Sequence, residues 1–207
     1  MEIAVLTFDQ FNEMDSFVVA HLLNRLSPQG WHAYITAPSD RVTSRNGVVV
    51  EAQRPLEFTA TADAVIVGSG WLSQEIAQDT ALLGRIALDP QRQLIASQCS
   101  GALILARLGL LASQPVCTDQ FTRPAIARTG AQVLDTPFHA RGNLATAGGC
   151  LASQYIATWM IARRLGLAEA EKVIRLVAPV GEVEGYVDRA LDAVRPFVDN
   201  APVSSAA

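Results

Sequence analysis

Short apolar segments alternate along the chain with longer segments whose apolar residues recur at helical spacing. Five short segments are rich in β-branched residues and apolar at successive positions: residues 2–8, 31–37, 63–69, 93–99 and 143–149. Strands that are apolar on both faces are typical of a parallel sheet covered by helices. The alternation therefore predicts an α/β fold in which a doubly wound, flavodoxin-like parallel sheet lies between two layers of helices.

Helical patterns lie between these strands and after the last one. They cover residues 16–26, 72–88, 101–108, 120–129, 150–165, 168–177 and 183–198. Asn46-Gly47 is a hairpin-turn signal, which predicts a small antiparallel excursion beside the second strand. No repeat or linker interrupts the chain. We therefore expect one domain over residues 1–200 and a flexible tail over residues 201–207.

Composition and charge narrow the function classes. Hydrophobic residues make up 50% of the 207 residues and charged residues only 17%, which predicts a large core. The net charge is −4 and the basic residues are scattered, so we expect no nucleic-acid partner and a small, uncharged ligand. No apolar run approaches the ~20 residues of a membrane span. The start, MEIAVLTF, has no signal-peptide pattern, so we expect a cytoplasmic protein with no membrane contact.

Cys99 lies at the junction of a predicted strand and a predicted helix, in the segment ASQCSGALILARLGLL. Small residues two positions before and after it, Ser97 and Gly101, permit the sharp turn of a nucleophile elbow. A helix N-terminus favours a thiolate, so this position predicts a lowered pKa for Cys99. The alternative is that Cys99 only fills the core, as buried free cysteines often do.

The other cysteines and the histidines lack such a context. Three cysteines without CxxC or His-rich spacing predict neither a disulfide framework nor a metal site. We expect Cys117 and Cys150, the latter in the first turn of a helix, to serve packing. The three histidines are His21 on a helix, His32 in a strand and His139 in a loop, and we expect none of them to reach Cys99.

Four segments resemble the ThiJ/PfpI superfamily, whose fold is like that of the class I glutamine amidotransferases. They are TFDQFNEMD, DAVIVGSG, the Cys99 segment and GNLATAGGCLASQYIATWMIARRLG, and the resemblance covers roughly residues 2–166. The first segment looks most like the isonitrile hydratase branch. The resemblance implies that Cys99 is the nucleophile and Asp15 its carboxylate partner. It also implies that the backbone N–H of Ser100, with that of Ser69 or Gly70, stabilises developing charge.

Two departures from the family pattern affect the site. The chain has Gly68-Ser69-Gly70 where many relatives have Pro-Gly-Gly. It has Thr118-Asp119 where hydrolytic relatives have a Thr-His pair, so the usual general base is missing and a Cys-His hydrolase is disfavoured. Asp119 stays among the candidate site residues because it takes the place of that histidine.

Some candidate residues have a second interpretation. Asp15 precedes a helical pattern and would fit a helix cap, with Glu13 then serving as the acid. The resemblance favours Asp15 as the partner of the thiol, with a carboxyl pKa raised by the neighbouring charge. We place Trp71 beside the site as a wall of an apolar pocket and expect Trp159 to pack in the core.

The resemblance to the isonitrile hydratase branch implies a cysteine-dependent enzyme that adds water to a small apolar isocyanide and releases an N-substituted formamide. We expect no metal and no organic cofactor, and the resemblance implies a homodimer. The alternatives are a thiol stress sensor, a glyoxalase or deglycase-like enzyme, and a ligand-sensing domain like that of AraC-type regulators. The last would need a helix-turn-helix region, for which the chain shows no basic recognition helix.

Overall fold

The computed structural model describes residues 1–112 and 114–198 of the chain. Its central sheet has seven strands in the order β5-β2-β1-β6-β7-β9-β8. The strands are β1 (Glu2–Leu6), β2 (His32–Ala37), β5 (Arg54–Pro55), β6 (Ala64–Val67), β7 (Leu94–Gln98), β8 (Phe138–Arg141) and β9 (Leu144–Ala147). All neighbouring pairs are parallel except β8 with β9. The predicted α/β fold class is confirmed.

Two layers of helices cover the sheet. One layer contains α1 (Glu13–Asn24), α6 (Ser153–Leu165), α7 (Leu167–Val177) and α8 (Val183–Val194), and the other contains α2 (Ser73–Ile76), α3 (Thr80–Leu83), α4 (Gly101–Arg107) and α5 (Arg123–Ala127). Successive residues of β1 pack on opposite layers, since Ile3 and Val5 join the first core and Ala4 and Leu6 the second. This double burial explains why the strands are continuous apolar runs.

The antiparallel excursion predicted at Asn46-Gly47 is confirmed as the hairpin of β3 (Arg41–Thr43) and β4 (Val49–Glu51). Its tip is tied to α1, because the Glu13 carboxylate accepts hydrogen bonds from the Ser44 hydroxyl and from Asn46 Nδ2 at 3.0 Å. The hairpin therefore lies beside the carboxyl end of β1.

The structure corrects several predicted elements. Residues 72–88 form two short helices rather than one, because Asp79 accepts a hydrogen bond from the N–H of Leu82 and starts a new helix. The 120–129 pattern is helical only over Arg123–Ala127, and residues 150–152 form a 3-10 turn before α6. His139 lies in strand β8 rather than in a loop, because β8 pairs antiparallel with β9.

The described residues contain no helix that is long and apolar enough to cross a membrane. The predicted tail at residues 201–207 lies outside the described residues, and the domain boundary at residue 200 stays a prediction.

The sheet reverses its winding between β1 and β6. From β1 the chain moves outward to β2 and β5, and from β6 it moves the other way to β7 and β9. In open α/β sheets, ligands bind at the carboxyl ends of the strands beside such a reversal. The segments that follow β1, β6, β7 and β9 meet there.

Candidate active site

Cys99 occupies the sharp turn between β7 and α4. Its backbone φ is +47°, in the left-handed region that residues with a side chain rarely adopt. The turn is held by the Cys99 N–H, which donates to the carbonyl of Ala147 at 2.9 Å, and by the Thr118 hydroxyl, which donates to the Cys99 carbonyl at 2.8 Å. A Cβ at Gly101 would lie 2.4 Å from the carbonyl oxygen of Val67. Only glycine therefore lets α4 start this close to β6.

Asp15 is the third residue of α1, and its side chain is fully buried. It does not cap the helix, because the side chain of Asn12 accepts the hydrogen bond from the N–H of Met14. The Asp15 carboxylate instead accepts a hydrogen bond from the hydroxyl of Ser69, which follows β6. The carboxylate of Glu13, the other acid considered, is engaged by the β3–β4 hairpin. Of the two acids, only Asp15 has its carboxylate beside Cys99.

A thiol, a carboxylate and a second thiol form one cluster. Ligand-type atoms of Asp15, Cys99 and Cys150 all lie within 4.8 Å of one another. Cys150 begins the 3-10 turn after β9, and Asn12 Nδ2 donates to its sulfur at 2.9 Å. The sequence prediction that Cys150 only serves packing missed this position. No local sequence signal marks this position, because it depends on the pairing of the Cys99 strand β7 with β9.

The environment raises the pKa values of the cluster. Burial raises the pKa of the Cys99 thiol, and the Asp15 carboxylate raises it further. Burial also raises the pKa of the Asp15 carboxyl group, against the hydrogen bond from Ser69. The pKa of Cys150 is raised by burial and by Asp15. The direction is opposite to the lowered Cys99 pKa expected from the helix N-terminus, because desolvation and a neighbouring negative charge both favour the neutral thiol.

Backbone N–H groups near Cys99 differ in whether they are already bonded. The N–H of Gly70 meets the hydroxyls of Ser73 at 3.2 Å and Ser100 at 3.3 Å. The N–H groups of Ser69 and Ser100 have no acceptor within residues 1–112 and 114–198. Of the two alternatives that the sequence left open beside Ser100, Ser69 is the one whose donor is unused.

A pocket of about 450 Å³ opens over the cluster, and most of its surface is apolar. Its walls include Trp71 and Phe121, whose side chains are 68% and 94% exposed, together with Arg45 and Asp119. Asp119 Oδ1 accepts hydrogen bonds from the backbone N–H groups of Phe121 at 2.9 Å and Thr122 at 3.0 Å. Asp119 thus shapes the loop that carries Phe121, and its second oxygen is buried without a partner among the described residues.

Other residues considered from the sequence lie away from the pocket. Of the histidines, His21 is on the exposed face of α1, His32 starts β2 and His139 packs against Phe197. Cys117 is buried, with its sulfur 3.4 Å from the Thr136 hydroxyl. Trp159 is fully buried in the core, as its helical position predicts.

Two thiols and a carboxylate are ligand types that zinc accepts in proteins. The cluster of Asp15, Cys99 and Cys150 supplies three ligand atoms, whereas a closed structural zinc site has four. Metal binding would also require both thiols to lose their protons.

The parallel sheet, with a cysteine at a strand-to-helix turn and a carboxylate from the first helix beside it, defines the class of α/β protein to which the chain belongs. The sequence profile of the DJ-1/PfpI family matches residues 1–162, so the chain belongs to the DJ-1/PfpI family.

Solved structures agree with this assignment. A ThiJ/PfpI family protein from Pseudomonas syringae superposes with a TM-score of 0.76 at 23% identity, covering 94% of this chain and 88% of that one. A mutant DJ-1 superfamily protein from Salmonella typhimurium gives 0.73 at 25% identity, covering 86% and 100%. DJ-1beta from Drosophila melanogaster gives 0.71 at 18% identity, covering 84% and 96%. No curated protein matches the sequence significantly.

Proposed function

We propose that the protein is a cysteine-dependent hydratase that converts a small apolar isocyanide into the N-substituted formamide. The observation that carries this proposal is the buried Asp15 carboxyl group, which lies within 4.8 Å of the Cys99 thiol, while Cys99 itself lines a mostly apolar pocket. Among the described residues, no histidine lines that pocket. The carboxyl group therefore has to move the protons.

The first step is the addition of the Cys99 thiol to the terminal carbon of the isocyanide. The sulfur forms a bond to that carbon while its proton passes through Asp15 to the same carbon, which gives a thioimidate. The proton that sulfur loses is the one that carbon gains, so the addition separates no net charge. A thiol with a raised pKa suits this step, because a buried apolar site disfavours isolated charges.

The second step is hydrolysis of the thioimidate. Asp15 takes a proton from water as the oxygen attacks the carbon and passes that proton to the nitrogen. The carbon–sulfur bond then breaks, the hydroxyl proton of the adduct passes through Asp15 to the sulfur, and the formamide leaves. We assign to the N–H groups of Ser69 and Ser100, which have no acceptor among the described residues, the orientation of the adduct and the stabilisation of negative charge during these transfers. Trp71 and Phe121 supply apolar contact for the substituent of the substrate.

The proposed substrate also fits the charge of the site. An isocyanide is uncharged, so it can enter a mostly apolar pocket without losing strong hydration. The cytoplasmic location predicted from the sequence would suit this chemistry, because reducing compartments keep thiols free.

The test is to incubate the reduced protein with several alkyl and aryl isocyanides and to quantify the formamides by chromatography. The proposal expects formamide from the wild-type protein and from Cys117→Ala, and none from Cys99→Ala. It also expects a trapped adduct on Cys99 whose added mass is that of the whole isocyanide, since the addition releases nothing. An absence of formamide from protein with intact thiols would falsify the proposal, as would equal losses in the Cys99 and Cys117 variants.

We further propose that the protein is a homodimer. Exposed apolar side chains on one surface support this, namely Phe17, Leu151 and Val177, with exposed fractions of 37%, 65% and 37%. Contiguous exposed apolar groups of this kind mark interaction sites more often than chance.

A further inference from the structure

The mechanism proposed above uses one of the two thiols in the cluster and leaves Cys150 without a role. Both cysteines are free, and both line the pocket. Their sulfurs lie within 4.8 Å of each other. A small molecule that reaches the Cys99 sulfur therefore meets a second thiol beside it.

Hydrogen bonds join the two backbone segments that carry Cys99 and Cys150. The Cys99 N–H donates to the carbonyl of Ala147, three residues before Cys150. Gln98 Nε2 donates at 2.8 Å to the carbonyl of Gly149, so the residues directly before the two cysteines are joined. A disulfide needs sulfurs about 2 Å apart. The disulfide therefore requires rotation about the Cα–Cβ bonds to bring the sulfurs together, while these hydrogen bonds hold the backbone in place.

We propose that Cys99 and Cys150 form a reversible disulfide when a small hydroperoxide enters the pocket. One sulfur attacks the O–O bond: an S–O bond forms, the O–O bond breaks, and the leaving oxygen takes the thiol proton and departs as an alcohol or as water. The second sulfur then attacks the sulfenic sulfur: the S–S bond forms, the S–O bond breaks, and hydroxide leaves with the second thiol proton as water. The two sulfurs together lose the two electrons that the peroxide gains.

Neighbouring groups serve both steps. The Asp15 carboxyl group lies within 4.8 Å of both sulfurs and can carry either thiol proton to the departing oxygen. Asn12 Nδ2, 2.9 Å from the Cys150 sulfur, favours the negative charge that develops there when Cys150 attacks. A small dithiol reverses the reaction by thiol–disulfide exchange.

The consequence is protection of Cys99. A sulfenic acid without a neighbouring thiol is oxidised further to the sulfinic acid, which ordinary thiols do not reverse. With Cys150 beside it, the sulfenic acid is consumed within the same chain. The disulfide would close the site reversibly during exposure to peroxide.

The chain allows a direct measurement of this disulfide. Cleavage after arginine, but not before proline, places Cys99 in peptide 93–107, Cys117 in peptide 108–128 and Cys150 in peptide 142–163. The reduced protein is treated with a small molar excess of hydrogen peroxide, and the intact mass is recorded before and after dithiol. We expect a loss of about 2 Da on the monomer, reversed by dithiol, with peptide 93–107 linked to peptide 142–163.

Cys150→Ser and Cys150→Ala remove the second thiol, and Cys117→Ser is the matched control. In either Cys150 variant we expect a gain of about 32 Da on peptide 93–107 at roughly tenfold less peroxide than in the wild-type protein. Cys117→Ser should form the same disulfide as the wild type. Equal sulfinic acid formation with and without Cys150, or a linked peptide that contains Cys117, would overturn the proposal.

The disulfide is detected by mass spectrometry, so the result of this experiment does not depend on whether the protein is a hydratase. If both proposals hold, the oxidised protein makes no formamide and dithiol restores the activity. A disulfide in a protein that never makes formamide would refute the hydratase alone.

Discussion

Replacing Asp15 with asparagine is expected to lower the hydratase activity and to increase the ionisation of the Cys99 thiol. The side chain keeps its size and can still accept the hydrogen bond from Ser69, but it loses its negative charge and its ability to take a proton. Hydration of isocyanide should therefore fall by about 10²- to 10⁴-fold in kcat, the usual contribution of a positioned acid–base group. The thiol of Cys99 should at the same time become easier to ionise.

The size of the second effect follows from the cluster geometry. Two unit charges 4.8 Å apart, the upper bound for the Cys99 sulfur and an Asp15 oxygen, interact by about 3.5 kcal/mol at an effective dielectric constant of about 20. Since the carboxylate raises the pKa of Cys99, its removal lowers that pKa. The thiolate population at a given pH should then increase.

The assay is the rate of Cys99 alkylation by iodoacetamide as a function of pH, read from peptide 93–107, beside formamide production by the same preparation. Glu13→Gln is the control, because its carboxylate lies on the same helix turn but is bonded to the β3–β4 hairpin. Asp15→Asn should move the alkylation midpoint to lower pH while Glu13→Gln leaves it in place. An unchanged midpoint, or a fall in alkylation together with activity, would refute the electrostatic reasoning.

Three further results are expected. Gly101→Ala should lower the free energy of unfolding by about 2–4 kcal/mol in urea titrations, because the new methyl group would lie 2.4 Å from a carbonyl oxygen of β6. Gly185→Ala is its control, since nothing lies within 4 Å there, and it should stabilise α8 by up to about 1 kcal/mol. Trp71→Ala should raise KM for bulky isocyanides with little change in kcat. A fall in kcat without a change in KM would show that Trp71 does not bind the substituent of the substrate. Light scattering should give twice the 22.1 kDa chain mass, and Leu151→Arg should reduce it to one chain.

The fold could be predicted from sequence because its strands are buried on both faces. Such strands appear as continuous apolar runs, and β1, β2, β6, β7 and β9 all fall within predicted segments. The strand β8 was missed because it lies at the sheet edge, where its residues alternate between buried and accessible positions. The break at Asp79 was missed because a capping residue inside an apolar pattern is hard to distinguish from a polar position on a long helix.

The site was predictable only in part. Cys99 carries a local signal, since the turn needs small residues at fixed spacing around it. Asp15 came from the resemblance, because spacing alone also fits a helix cap. Cys150 could not be placed from local sequence, since its nearness to Cys99 depends on the parallel pairing of β7 with β9. The pKa direction also depends on burial, which the helix N-terminus alone does not reveal.

The left-handed backbone of Cys99 has a consequence for how the chain changes over generations. A side chain at φ +47° is held in a sparsely populated conformation, and glycine would occupy the same position without that cost. Cys99→Gly should therefore relieve this backbone strain, offset by the lost contacts of a buried side chain, while losing the thiol chemistry. A lineage that no longer needed the thiol could replace it with glycine and keep the fold.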